Sequence, residues 1–160
     1  MLRTMRLSGK PSVMPKVAVA CLTALTVTSC DPGVHIAYRK DFDQQIDPAC
    51  VERALRTVSP KVQRGSYVSD GADTRNFGKG TAVTQFLYPD PVNPGEFYTV
   101  DLAALGNGKT GFYHGWGTLG TEIPPEQRAK VLPLLRKAND AVAQQCELTF
   151  IGTEPQVGPG

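Results

Sequence analysis

Apolar residues follow three rhythms along this chain, and each predicts a different element. Between residues 46 and 58 the spacing is helical. Val51, Leu55 and Val58 share one face, with Cys50 and Ala54 beside it. Asp47 suits the N-cap and Pro48 the first helical position, while Ile46 and Val51 stand where a hydrophobic staple holds the first turn. Ser59-Pro60 ends this helix, because a residue before proline avoids helical geometry. From 81 to 116 the rhythm is two. Ala82, Thr84, Phe86 and Tyr88 alternate along a strand over 81–88, and the proline-rich 89–95 is a turn. A second strand over 97–103 runs through a hairpin signal, Gly106-Asn107-Gly108, into a third over 109–116. On that third strand Phe112, His114 and Trp116 share one face, and Gly111, Tyr113 and Gly115 the other. A weaker strand is predicted over 62–69, followed by a polar loop over 69–80. Helical spacing returns after Pro124-Pro125-Glu126, with Val131, Leu135, Ala138, Val142 and Cys146 in line and Pro133 predicting a kink or restart. The third rhythm is a largely apolar stretch over 17–28, shorter than the roughly 20 residues that cross a bilayer.

These elements predict an α+β domain over 47–151, in which an antiparallel sheet of about four strands packs against an N-terminal and a C-terminal helix. A last short strand over 148–151 fits the pattern. Residues 31–46 are mostly polar and read as a tether, with a short edge strand over 34–38 as the alternative. Residues 152–160 read as a flexible tail with nothing to bury. No internal repeat is visible.

Charge changes the picture in one place. The chain carries +2 overall, but its first thirty residues hold Arg3, Arg6, Lys10 and Lys16 and no acid. From residue 31 onward there are 13 Lys and Arg against 15 Asp and Glu, a formal charge of −2. A nucleic-acid partner is not expected of such a domain, which lacks a basic stripe to neutralise phosphates.

The basic segment ending at Lys16, the apolar run and the small residues after it form the three parts of a secretory signal over 1–29. Met14 offers a second possible start. Val27-Thr28-Ser29-Cys30 resembles the lipobox of bacterial lipoproteins. Val27 replaces the commoner leucine, and Thr28 is less usual than Ala or Ser. The resemblance implies that Cys30 receives a diacylglyceryl group and becomes the first residue of the mature chain, so that a membrane is its partner through that lipid. Cleavage by ordinary signal peptidase before an unmodified cysteine is the alternative. In enteric bacteria an aspartate after the lipidated cysteine resembles a signal for retention at the inner membrane, facing the periplasm, and Asp31 stands there.

Of four cysteines, Cys21 would leave with the signal and Cys30 carry the lipid. Cys50 and Cys146 remain on the two helical faces and read as a disulfide in an exported domain, against the alternative of two buried thiols. No CxxC or histidine cluster suits zinc, so no metal is expected. Gly115-Trp116-Gly117-Thr118-Leu119-Gly120 has the spacing of a dinucleotide fingerprint, but Pro124-Pro125 delays the helix it would have to open, and no cofactor is expected. Gly78-Lys79-Gly80-Thr81 lacks the hydroxyl residue that must follow a P-loop lysine. Asp41, Asp43 and Asp47 lack calcium-loop spacing.

His114, between Phe112 and Trp116, is the residue that most invites chemistry. It would serve as a general base only with a nucleophile and an orienting acid, and no G-x-S-x-G or catalytic-cysteine pattern supplies them. The three residues are therefore read as a possible binding surface on a sheet face left open by the helices. The expected function is non-catalytic: a lipid-anchored envelope protein binding another envelope protein or a small ligand. A small exported hydrolase using His114, and a structural or assembly accessory, are the alternatives.

Overall fold

The structure, a computed structural model, describes residues 33–72, 75, 77–150 and 154–159. The signal segment, Cys30 and Asp31 lie outside the described residues. By internal contacts the chain divides into Met1–Cys30 and Asp31–Gly160, and the second unit is the one described.

This unit is α+β. Its elements in order are β1 (Gly33–Phe42), α1 (Pro48–Val58), β2 (Gln63–Val68), β3 (Ala82–Pro89), β4 (Phe97–Gly106), β5 (Lys109–Leu119), α2 (Pro125–Gln145) and β6 (Gln156–Pro159). The strands form one antiparallel sheet of six, ordered β2-β3-β4-β5-β1-β6.

The sheet is thus larger than the sheet of about four strands expected. Residues 148–150, where a last short strand is expected, are not in a strand, and the extra strands come from the segments read as a tether and a tail. The tether over 31–46 is corrected by β1, which pairs with β5 along its whole length, from Gly33↔Leu119 to Phe42↔Thr110. Val34, Ile36, Tyr38 and Phe42 alternate into the core and are all buried. Nor is β1 an edge strand, since β6 pairs with its other side. The flexible tail is corrected by β6, whose residues 156–159 lie antiparallel to 34–37. A tail with nothing to bury can still complete a sheet, because ladder hydrogen bonds use only backbone groups.

Helix α1 forms for the reasons its sequence supplies. The Asp47 carboxylate accepts from the Ala49 amide at 2.9 Å, and Ile46 and Val51 are both buried in the core. Helix α2 carries Val131, Leu135, Ala138 and Val142 on its buried face and runs unbroken through Pro133. Both Pro133 and Ala129, whose carbonyl loses its helical partner to the proline, are exposed, so water can take that bond. A disulfide joins Cys50 of α1 to Cys146 at the end of α2, with Cα atoms 5.7 Å apart. The hairpin between β4 and β5 turns where Asn107 (φ 50°) and Gly108 (φ 74°) both take the left-handed geometry that its tight turn requires.

The helices cover one face of the sheet and form the main core with Phe86, Tyr88, Tyr98, Val100, Phe112 and Trp116. Part of the loop over 69–81 covers the other face. Phe77 is buried there against a smaller cluster of Ala37, Val83, Ala103 and Tyr113. Hydrogen bonds from the Ser69 hydroxyl to the Phe77 carbonyl (3.0 Å) and from the Gly80 amide to the Ser69 carbonyl (2.7 Å) close the loop on itself.

Candidate functional site

Phe112, His114 and Trp116 share a face, and it is the helix-covered one. Their exposures are 0%, 0% and 3%, which corrects their reading as an open binding surface: α1 and α2 pack where a partner would have to sit. Trp116 donates its indole N–H to Glu96 Oε2 at 2.6 Å, and Gln127 donates to Glu96 Oε1 at 2.8 Å. His114 lies under the ring of Tyr38, which stacks on it at 6.2 Å, and its Nε2 is 2.7 Å from the Tyr88 hydroxyl. Burial lowers its pKa to about 4, opposed by the Asn139 amide of α2. Nδ1 and Asn139 Oδ1 lack any well-formed hydrogen bond. The two face each other, which fits the tautomer with hydrogen on Nδ1 and Tyr88 donating to Nε2. Burial also raises the Tyr88 hydroxyl well above the ordinary phenol range. A neutral, sealed imidazole bonded to a neutral phenol has neither the access nor the basicity to serve as a general base near neutral pH.

The open chemistry lies on the opposite face. Between Arg75 of the 69–81 loop and the far ends of β4, β5 and β1 is a trough of about 460 Å³. Its lining includes His35, Arg75, Phe97, Tyr113, Gly117 and Leu119. Arg75 reaches down from the loop. Its Nε is 2.9 Å from Asp101 Oδ2, its Nη1 donates to the Tyr67 hydroxyl at 2.7 Å, and its guanidinium lies over the rings of Tyr67 and Tyr113 at 5.8 and 5.6 Å. Asp101 is fully buried, so this guanidinium neutralises a carboxylate in the middle of the sheet while keeping about a quarter of its own surface exposed. The Tyr113 ring lies across Gly115, where a Cβ would come within 2.6 Å of the tyrosine hydroxyl oxygen and 2.9 Å of Ala37 Cβ. Any other residue at 115 would displace the ring. His35 meets the edge of the Tyr113 ring at 6.0 Å and closes the β1 side.

A larger cleft of about 640 Å³ lies toward the opposite end of the sheet. Its lining mixes small residues such as Ala82, Ala103 and Gly106 with Gln45, Tyr67 and Lys109, and Lys109 is paired with Asp43. The trough is smaller but gathers an imidazole, a guanidinium, a phenol and an aromatic ring.

Sequence reasoning did not assemble this site. His35 lies in the segment read as a tether, and Arg75 in the segment read as a polar loop. The available signal was Tyr113 with Gly115, on the face of the strand opposite His114, together with Phe77 as a lone apolar residue in the loop. Among the described residues no cluster of three or more His, Cys, Asp or Glu is placed to hold a metal ion. No protein-family model, curated protein or solved structure matches the chain.

Proposed function

We propose that this chain is a lipid-anchored, non-catalytic envelope protein that holds a small ligand in the trough between β4, β5, β1 and the 69–81 loop. The trough carries the binding half of this reading. It brings an imidazole, a guanidinium, a phenol and an aromatic ring around one open cavity, as small-molecule sites require. Arg75 is already balanced by Asp101, so a strongly anionic ligand gains little. Tyr113, Phe97 and the bare backbone at Gly117 favour a ligand with a flat, largely apolar ring and a few hydrogen-bonding groups. The hydrolase alternative is disfavoured by the sealed His114. The accessory-spacer alternative leaves the trough without a role.

Gly117 offers a direct test. It is exposed, and a Cβ there would meet the Val34 carbonyl oxygen at 3.5 Å and His35 Cβ at 3.7 Å, both ordinary contacts. Gly117→Phe should therefore fold normally and fill the trough. Small aromatic and saccharide fragments, screened by ligand-observed NMR, are expected to include binders to the wild-type protein whose signal vanishes with Gly117→Phe. Fragments that bind both proteins alike, or none that binds the wild type, would contradict the site.

The anchoring half rests on the lipobox and on the absence of acids before Cys30. The expected mature N-terminus is an acylated Cys30, at the inner membrane facing the periplasm where the Asp31 rule applies. Cys30→Ala is expected to move the protein to the soluble fraction or leave an uncleaved precursor. An intact mass with Cys30 unmodified would refute the anchor.

A further inference from the structure

Six large apolar side chains are exposed among the described residues, and three of them gather at one end of the sheet. Val92 is 82% exposed, Phe97 55% and Leu119 78%. The register places them together. Phe97 starts β4 beside the end of β3, Leu119 ends β5, and Val92 sits in the turn that joins β3 to β4. Leu119 is paired with Gly33, the first residue of β1. The same end of the sheet therefore receives the chain arriving from Cys30.

This tip is built inside out. Its two carboxylates turn inward. Asp90 is only 5% exposed and accepts from the amides of Val92 (2.7 Å) and Asn93 (3.1 Å). Glu96 is held by Trp116 and Gln127. The outward side chains between them are apolar or uncharged. Residues 91–95 and 117–121 include no charged side chain, and Glu122 stands at the border. The opposite end of the sheet is charged, with Asp43, Lys109, Asp70 and Lys79. Internal hydrogen bonds fix the Val92 turn in place, so its exposure belongs to a shaped loop. An exposed apolar cluster of this kind marks contact with a protein or a membrane.

Chain length decides between them. With β1 starting at Gly33, only Asp31 and Pro32 separate the domain from Cys30. Three residue steps span at most roughly 10 Å when fully extended. An acylated Cys30 would have its chains in the bilayer, and this end of the sheet could not rise clear of the headgroups. We infer that Val92, Phe97 and Leu119 form a membrane-docking surface, entering the headgroup–acyl boundary of the leaflet that holds the lipid on Cys30. This rests on the lipid-anchor reading. The apolar tip adds a second attachment to the acyl chains, fixes the tilt of the domain, and presents the trough, whose lip includes Phe97 and Leu119, at the headgroup layer.

The full chain, produced in a lipoprotein-processing bacterium, is first checked by intact mass for acylation. It is then reconstituted into phosphatidylethanolamine–phosphatidylglycerol vesicles with plain or acyl-brominated lipid. Trp116 is the sole tryptophan and is buried, so the wild type gives the background. Leu119→Trp adds an indole at the tip, and Val68→Trp adds one at an exposed site on the opposite end. The added indole at 119 is expected to lose about twofold in intensity in brominated vesicles, as befits a ring roughly 5–10 Å into the boundary, with no loss at 68. An acylated protein whose 119 indole is not quenched, or is quenched no more than the one at 68, overturns the docking surface and leaves the anchor standing. An unmodified Cys30 overturns the anchor, and the docking surface with it.

Discussion

Replacing Cys50 and Cys146 together by serine is expected to lower the stability of the domain by about 4–5 kcal/mol. The bond joins residues 96 apart in sequence. Closing a loop of that length removes entropy from the unfolded chain worth about 4.7 kcal/mol at 25 °C in the chain-entropy model. A domain of ordinary stability has roughly 5–15 kcal/mol in total, so the loss is a large share of it. The folded state should survive in outline, because α1 and α2 also bury Val51, Leu55, Val131, Leu135 and Val142 in the shared core. Two comparisons separate the cross-link from local packing at a serine. Urea unfolding of the oxidised wild type is measured against the reduced wild type, which has the same sequence, and against the double variant. Both differences should fall near the same value. A difference below about 1 kcal/mol in both would remove the cross-link as a main source of stability, and two alkylatable thiols in oxidised protein would show that the bond does not form in solution.

The bond was legible because each half was marked locally. Asp47, Pro48 and the Ile46–Val51 staple set the start of α1 and hence the face on which Cys50 lies. The helical spacing of four, three, four and four residues from Val131 carried the line of α2 to Cys146. The hairpin and the two faces of β5 were equally local, written in Asn107-Gly108 and in strict alternation. What stayed hidden depended on pairing at a distance. In β1 the alternation of Val34, Ile36 and Tyr38 is followed by Arg39, Lys40, Asp41 and Asp43, and that charge masked it. These charges are tolerated because they lie toward the rim of the sheet, where Lys40 donates to the Thr149 carbonyl. Strand β6 buries little, so no side-chain pattern announces it.

The candidate site was misplaced for a related reason. Alternation tells which residues share a face, but not which face the helices choose. Phe112, His114 and Trp116 were correctly grouped and then set toward solvent. Three bulky aromatic or imidazole groups beside Tyr88 and Tyr98 make the larger apolar surface, and the helices bury that surface first. The glycine-rich face, with Gly111, Gly115 and Gly117, is shallow enough for a loop to cross it. Phe77 and Arg75 fill part of it, and the trough is the part they leave uncovered.

The burial that removes His114 from catalysis should make the fold sensitive to mild acid. The imidazole titrates at about 4 in the folded protein, against an ordinary value of 6.5. Between those values the unfolded chain takes up a proton that the folded protein refuses, so stability falls as pH drops through this window and the loss levels off below the folded pKa. The full difference corresponds to about 3 kcal/mol at 1.36 kcal/mol per pH unit. The groups around the ring explain the sign. Tyr38 stacks on it, Tyr88 bonds Nε2 and Phe112 meets its edge, while Asn139 alone among these favours the charged form. Carboxylates also titrate toward the lower end of the window, so the measurement is a comparison. His114→Gln keeps a polar group able to reach Tyr88 but cannot take up the proton. Urea unfolding at steps between pH 7 and 4 is expected to show the wild type losing about 3 kcal/mol more than His114→Gln across the window, with the two curves running parallel above pH 7. Parallel curves throughout would mean that His114 is protonated as readily in the folded protein as in the unfolded chain, and the sealed, neutral imidazole would have to be given up.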